Sequence, residues 1–420
     1  MSRITKYALS DLYEMSSGIS STKEQAGHGA PFVSFSTVFN NYFLPDELPD
    51  LMDTNGKEQE IYSIKAGDVL ITRTSETIDE LAMSCVAVKD YPKATYSGFT
   101  KRLRPKKEGI AYPKYMAFYF RSELFRKAVT NNAFMTLRAS FNEDIFTFLD
   151  VYLPDYEEQV RIGDMLYAVE CKIQKNKEIN DYLEEMAKTI YDYWFVQFEF
   201  PDENGNPYKS TGGKMNRTKD FGLAPCGWKS GNLYDIAEFI NGLACQKYRP
   251  MEDEASLPVI KIKEMHDGIS SDTERVKATI PEKNIVNTGD ILFSWSASLE
   301  VQHWAGTTGG LNQHIFKVIP KKGYSSSYVY HQLQAYVIKF IQMAEARKTT
   351  MGHITSDHLR QSIIVLPPEN IVRNFSKQVD DIHAEINHIN IENHRLSQLR
   401  DWLLPMLMNG QATIEDGYAK

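Results

Sequence analysis

The sequence predicts a mixed α+β fold in which two similar α/β domains are joined by two long helices. These helices are expected to pair as an antiparallel coiled coil with pseudo-two-fold symmetry. Three observations predict this: the chain is written twice, each copy ends in a heptad-patterned helix, and turn-forming residues separate the copies. One long helical stretch opens at Leu153-Pro154 and another at Leu366-Pro367, a register difference of 213 that holds without a gap for about forty residues. Under that shift Ile162 meets Phe375, Leu166 meets Val379, Val169 meets Ile382 and Ile173 meets Ile386. Further on, Asn180 meets Asn393, Leu183 meets Leu396 and Ile190 meets Leu403. Ahead of the helices the match is looser: Leu12-Tyr13 answers Leu233-Tyr234, and Gly67-Asp68-Val69-Leu70 answers Gly289-Asp290-Ile291-Leu292. A repeat of this size is a duplicated domain rather than a solenoid unit.

The first domain, residues 1–153, mixes short β-type runs with turn signals, as in Val69–Thr72 after Gly67-Asp68. A helical patch is expected at Tyr112–Val129, where apolar residues recur at steps of three and four. The first heptad helix occupies 154–198. Residues 199–227 read as a linker, since Pro201–Pro207 and Ser210–Gly213 are breaker chemistry. The second domain, 228–366, repeats the mixed pattern with a helical patch at Ser327–Ala346. The second heptad helix covers 367–410, with Pro405 expected to interrupt it, and 411–420 form a tail.

In both helices the apolar positions alternate strictly by three and four. The seam runs through Ile162, Leu166, Val169, Ile173, Asn176, Asn180, Leu183, Ala187, Ile190 and Trp194 in the first helix. In the second it runs through Phe375, Val379, Ile382, Ile386, Ile389, Asn393, Leu396, Arg400, Leu403 and Leu407. This is a coiled-coil seam, narrower than the stripe of a helix lying on a globular core. At 1.5 Å per residue each helix is roughly 50–60 Å long. Asn180 and Asn393 would fix register at a cost in stability, or be tolerated near a wet end of the coil. An antiparallel pairing would place one domain at each end and make the coil a spacer.

Composition narrows the class. An apolar share of 42% with 24% charged residues is ordinary for a soluble globular protein. The N-terminus lacks the pattern of a secretory signal, and no apolar run approaches a membrane span. The four cysteines (Cys85, Cys171, Cys226, Cys245) show no metal-ligand spacing. They read as reduced thiols of a cytoplasmic protein. The net charge of −8 argues against a nucleic-acid partner, yet Lys89–Glu108 holds seven basic residues against two acidic ones. Taken alone, that run is equally well a solvated loop.

No reaction centre is legible. A phosphate-cradling GxxxxGK[ST] loop is absent, as are HExxH and GxSxG. Asn206-Pro207-Tyr208 lacks the second proline of an adenine-methylating loop. A nuclease-like Pro154-Asp155…Glu170-Cys171-Lys172 falls partly inside the heptad helix, where its side chains would not converge on a metal. The chain therefore reads as a non-catalytic binding protein with no metal site.

Polar loops on matching scaffold positions are the candidates for recognition. In the first domain they carry Arg73, Thr74, Ser97, Lys101, Arg102 and Arg104; in the second, Trp295, Ser296, Asn312, Gln313 and Lys348. Arginine and lysine grip guanine edges or phosphates, and glutamine and asparagine read adenine. Ser294–Ser298 sits at the place matching Thr72–Glu76, and Gly309–His314 near that matching Ser97–Lys101. Each loop singly is also an ordinary surface loop. Because the loops differ while the helices agree, the two domains are expected to read different things through one frame.

At this point the chain resembles the specificity subunit of type I restriction–modification systems. The resemblance rests on the Gly-Asp-Val-Leu and Gly-Asp-Ile-Leu runs and on Leu153-Pro154…Glu158-Gln159. Tyr191-Asp192-Tyr193-Trp194-Phe195, Phe200–Gly205 and Leu399–Pro405 add to it. One departure is Asn370-Ile371-Val372, where a Glu-Gln pair is usual. The resemblance implies two target-recognition domains, each reading half of a bipartite double-stranded DNA site, with the coil setting the gap. It implies two methyltransferase subunits docked on the coil, and two motor-nuclease subunits beyond them. S-adenosylmethionine, ATP and Mg²⁺ would then be bound by those partners, with no cofactor in this chain. The competing reading from the residues is a protein-binding scaffold holding two modules at fixed distance.

Overall fold

The computed structural model describes residues 4–75, 81–132, 139–218, 222–296, 298–346, 354 and 356–414. The chain forms two compact units, Met1–Gln174 with Leu396–Lys420, and Lys175–Arg395. Each unit thus takes part of both long helices, α1 (Tyr156–Tyr191) and α2 (Glu369–Met408), rather than ending where they begin.

In the first unit, β1 (Tyr13–Ser17), β2 (Val69–Thr72), β3 (Ser84–Val86) and β4 (Thr100–Pro105) form an antiparallel sheet in the order β1-β4-β2-β3. The Gly-Asp run builds the corner leading into β2. Gly67 takes φ +88°, a left-handed conformation that glycine adopts without steric cost. The Asp68 carboxylate accepts from the Lys65 amide at 2.8 Å and from Arg104 Nε and Nη2 at 2.8 and 2.6 Å. The patch expected at Tyr112–Val129 is two helices, Pro113–Tyr119 and Glu123–Asn132. Ser122 parts them: its Oγ donates to the Tyr119 carbonyl and accepts from the Phe125 amide.

The second unit repeats this plan with β5 (Ala237–Asn241), β6 (Ile291–Ser294), β7 (Glu300–His303) and β8 (Ile315–Pro320) in the equivalent order β5-β8-β6-β7. Gly289 has φ +90°, and Asp290 accepts from the Asn287 amide at 2.7 Å while pairing with Lys317 at 2.8 Å. The match of Leu12-Tyr13 to Leu233-Tyr234 is corrected by one turn. The helical turns preceding the first strand are Leu9–Leu12 and Leu233–Ile236, so the fully buried Leu9 answers Leu233. The stretch read as a linker is structured where described. Met215–Thr218 and Gly222–Pro225 pair antiparallel, and Phe200 stacks on Tyr208 and Trp228 at 4.6 and 5.2 Å.

The seam residues Leu166, Val169, Ile173, Leu183, Ile190, Val379, Ile382, Ile386, Leu396 and Leu403 are buried or half-buried. Pairing runs antiparallel, but the asparagines meet differently from the repeat-matched pair. Asn176 donates to Asn393 Oδ1 at 2.8 Å and Glu392 Oε2 at 2.7 Å, while Asn180 donates to Asn390 at 2.7 Å. The repeat relates equivalent positions, whereas antiparallel packing brings together positions whose numbers rise and fall in opposition. Within the first unit Arg400 Nη1 meets Glu170 Oε2 at 2.7 Å, with side chains only 14% and 7% exposed. The nuclease-like Glu170 is thereby occupied in an ion pair. Pro405 does not end α2, which continues to Met408. Leu404, Leu407 and Met408 lie in the first unit's core, so burial offsets the one helical hydrogen bond the proline forgoes. The helix α1 ends instead in a wide turn at Asp192–Val196, whose Trp194 and Phe195 pack with Phe375.

The family-like Glu158-Gln159 also finds a physical role. The buried Gln159 amide accepts from the Tyr112 N–H and donates to the Ile110 and Pro154 carbonyls, each at 2.9 Å. At the repeat-equivalent place in the second unit Val372 is buried in the core. The departure at Asn370-Ile371-Val372 is one solution of the same corner by apolar packing.

Three histidines cluster in the second unit. His331 Nε2 lies 3.0 Å from His383 Nε2, the His303 ring centre is 5.2 Å from that of His383, and neither His331 Nδ1 nor His383 Nδ1 has a hydrogen-bond partner. Burial, reinforced by the neighbouring imidazoles, pushes His331 down to about 3, and burial with His303 does the same to His383. Both are therefore neutral in the fold, while the unfolded chain takes up their protons below about 6.5. Stability is full above that pH and falls with further acidification, by about 1.4 kcal/mol per histidine per pH unit. Urea melts at pH 7.5 and 5.5 should show this loss, and His383→Leu should flatten it; an unchanged wild-type midpoint would contradict it. Likewise Glu170→Ala should cost about 1–3 kcal/mol, because the buried Arg400 then keeps only Asp401, at 2.9 Å, as an ion partner, with Glu170→Met/Arg400→Leu recovering most of the loss in the same melts.

Candidate functional site

Each unit carries the same backbone crossing at one end of its sheet. In the first, the chain leaves β1 through Gly18 and passes beneath the turn Ser97–Thr100. The Ile19 amide donates to the Tyr96 carbonyl at 2.9 Å, and the Gly98 amide donates to the Ile19 carbonyl at 2.7 Å. The turn closes with Thr100 N–H donating to the Ser97 carbonyl at 2.9 Å, and Ser97 Oγ accepts from the Phe99 amide at 3.2 Å.

In the second, Gly242 passes beneath the turn Asn312–Ile315. Leu243 N–H donates to the Leu311 carbonyl at 2.9 Å, Gln313 N–H to the Leu243 carbonyl at 2.8 Å, and Ile315 N–H to the Asn312 carbonyl at 3.1 Å. Asn312 Oδ1 accepts from the His314 amide at 3.2 Å. A Cβ on Gly18 would collide with the Ser97 carbonyl, and one on Gly242 with the Asn312 carbonyl. The crossings are superposable in their bonding.

A further strand-like contact braces each turn. Arg73 N–H donates to the Phe99 carbonyl and Phe141 N–H to the Arg73 carbonyl, both at 2.8 Å. Trp295 N–H donates to the His314 carbonyl at 3.2 Å and Ile354 N–H to the Trp295 carbonyl at 3.1 Å. These bonds equate Ser97 with Asn312, Gly98 with Gln313, Phe99 with His314 and Arg73 with Trp295. The frame is common; the side chains it presents are not.

Several residues read from the sequence as DNA-contacting are held inside the fold. Lys101 is buried, with Nζ donating to Ser17 Oγ at 3.0 Å. Arg102 is buried, donating to the Ser63 carbonyl at 2.5 Å and lying over the Tyr96 ring. Asp68 engages Arg104 and holds its guanidinium above its ordinary pKa, chiefly through their hydrogen bonds. Ser97 and Asn312 shape the turns, and Ser296 is buried. Arg73 is exposed, while Thr74, Trp295 and Gln313 are half-buried. Trp295 faces the His314 ring at 5.6 Å, and Gln313 Nε2 lies 3.2 Å from His314 Nε2. Lys348 falls outside the described residues.

Phe99 and His314 were absent from that set. Phe99 lies at the tip of its turn with 64% exposure. The signal that could have found them is the glycine pair Gly18 and Gly242, which aligns the turns residue by residue. Among the described residues no group of three or more His, Cys, Asp or Glu is placed to hold a metal ion, and no helix is long and apolar enough to cross a membrane.

Gly242→Ala should destabilise the chain by about 1–3 kcal/mol, the usual cost of overpacking. Gly56→Ala, where a Cβ meets nothing within 4 Å, is the control. Equal melting of the two variants would show that the crossing is not tight.

The family model for the type I restriction modification DNA specificity domain matches residues 1–185 and 225–399. The specificity subunit of the type I restriction enzyme HindI from Haemophilus influenzae is 23% identical over 437 residues, covering 90% of this chain and 94% of the relative. That of MjaIX from Methanocaldococcus jannaschii is 23% identical over 374 residues, covering 86% and 81%. The crystal structure of the type I restriction–modification S subunit from M. genitalium shares the fold with a TM-score of 0.56 at 12% identity, covering 97% of this chain and 96% of that one.

Proposed function

Because this chain belongs to the type I restriction–modification DNA specificity family, we propose that its two units read the two halves of a bipartite double-stranded DNA target. The two continuous helices then set the gap between the halves. The observation that carries this reading is the pair of identically bonded turns bearing different side chains, since one frame with two sets of contacts suits one molecule with two dissimilar half-sites.

The chain is read as non-catalytic. Two methyltransferase subunits dock on the helices and modify adenine N6, and two motor-nuclease subunits complete the restricting assembly. S-adenosylmethionine, ATP and Mg²⁺ are held by those partners. Exposed Ile179, Tyr182 and Met186 on α1 support the docking, because apolar side chains on one helical face are costly to leave in water.

Co-expression with a partner methyltransferase, followed by mapping of methyl-adenine across a genome, tests the reading. The expected result is a two-part motif with a fixed gap. A continuous motif, or modification without sequence preference, would instead favour a scaffold whose modules bind protein.

A further inference from the structure

The crossings do more than mark equivalent places; they differ in the chemistry they offer. The Ser97–Thr100 turn is fixed on three sides, by Ile19, by Arg73 and by its own Ser97 Oγ bond. A tip so constrained loses little freedom on contact. It nevertheless leaves the Phe99 ring largely in water, and burying such a ring is worth about 1.5–3 kcal/mol. The backbone partner of Phe99 is Arg73, whose side chain is exposed. An exposed apolar ring beside a cation suits a thymine methyl or an opened base step next to a phosphate.

The Asn312–Ile315 turn presents the opposite character. Gln313 occupies the place of Gly98, and its amide nitrogen rests against the His314 ring. His314 in turn leans on Trp295, and its Nδ1 is buried without a hydrogen-bond partner. A carboxamide at a braced tip suits the paired donor and acceptor of an adenine edge.

Building on the bipartite-DNA reading, we propose that these two turns are the base-contacting tips and that the half-sites are read by unlike chemistry. Phe99 reads the first by apolar contact. The Gln313 amide, positioned by His314, reads the second by hydrogen bonding.

The test uses the full chain co-expressed with its methyltransferase, with methyl-adenine mapped for the wild type and for Phe99→Ala, Phe99→Leu, Gln313→Ala and Gln313→Glu. Phe99→Ala should lower discrimination about tenfold at one or two bases of one half, and Phe99→Leu should retain most of it. Gln313→Ala should do the same in the other half only, and Gln313→Glu should move preference away from adenine. Melting temperatures of the variants should match the wild type. A two-part wild-type motif with both halves unaltered in Phe99→Ala and Gln313→Ala, or with both altered in the same half, overturns the tips but leaves the bipartite reading intact. A wild type without a two-part motif removes both.

Discussion

A helix seam that contains polar groups permits far fewer registers than a wholly apolar one, and that constraint underlies much of this chain. Asn176 must find Asn393 and Glu392, and Asn180 must find Asn390, or buried amides lose their partners. In the first unit Glu170 must find Arg400. A slip by one heptad would separate every one of these pairs at a cost of several kcal/mol. Leucine and isoleucine along the same seam supply attraction but tolerate sliding. Register is therefore set by the polar minority, at the expense of stability that an all-apolar seam would gain.

Above the seam, a second constraint divides structure from recognition. The glycine–aspartate corners at Gly67-Asp68 and Gly289-Asp290 orient the strands entering each sheet, and each aspartate is answered by a base from the adjacent strand. The answering base differs: Arg104 in one unit, Lys317 in the other, where Lys317 pairs with Leu292 as Arg102 pairs with Leu70. The corner is thus conserved in function while its residues have drifted. At the turns the reverse holds, since backbone bonding is retained and exposed chemistry changes. Such a frame lets the contact residues vary without refolding the domain.

The duplication, the antiparallel seam and the helix–domain alternation were legible because long periodic segments repeat physical information many times. Single features were less legible. The helix passing Pro405 depends on what Leu404 and Leu407 bury against, which no local pattern states. The basic run 101–104 misled for a related reason: in the first unit's sheet Lys101 and Arg102 are both enclosed, because loops and neighbouring strands cover both faces there. Residue type announced charge, but not that Ser17, Ser63 and Asp68 had already claimed it. Phe99 lies inside the recognition segment Ser97–Lys101 but does not stand out in it, since the segment's bases and hydroxyls carry the more obvious DNA chemistry. Only the crossing at Gly18 shows that its side chain is turned outward.

Divergence between the copies reaches into the seam itself. The repeat shift carries Glu170 onto His383 and Arg400 onto Ala187, both buried. One copy fills this place with opposite charges that satisfy one another at 2.7 Å. The other fills it with a neutral imidazole facing His331, and a proton added to either ring must share a dry site with the second. A buried histidine pair begins to lose ground just below neutrality, because the unfolded chain accepts protons the fold refuses. Equivalent positions in one duplicated architecture are thus filled by unlike chemistry, and in the second unit mild acid should loosen the fold through its paired histidines.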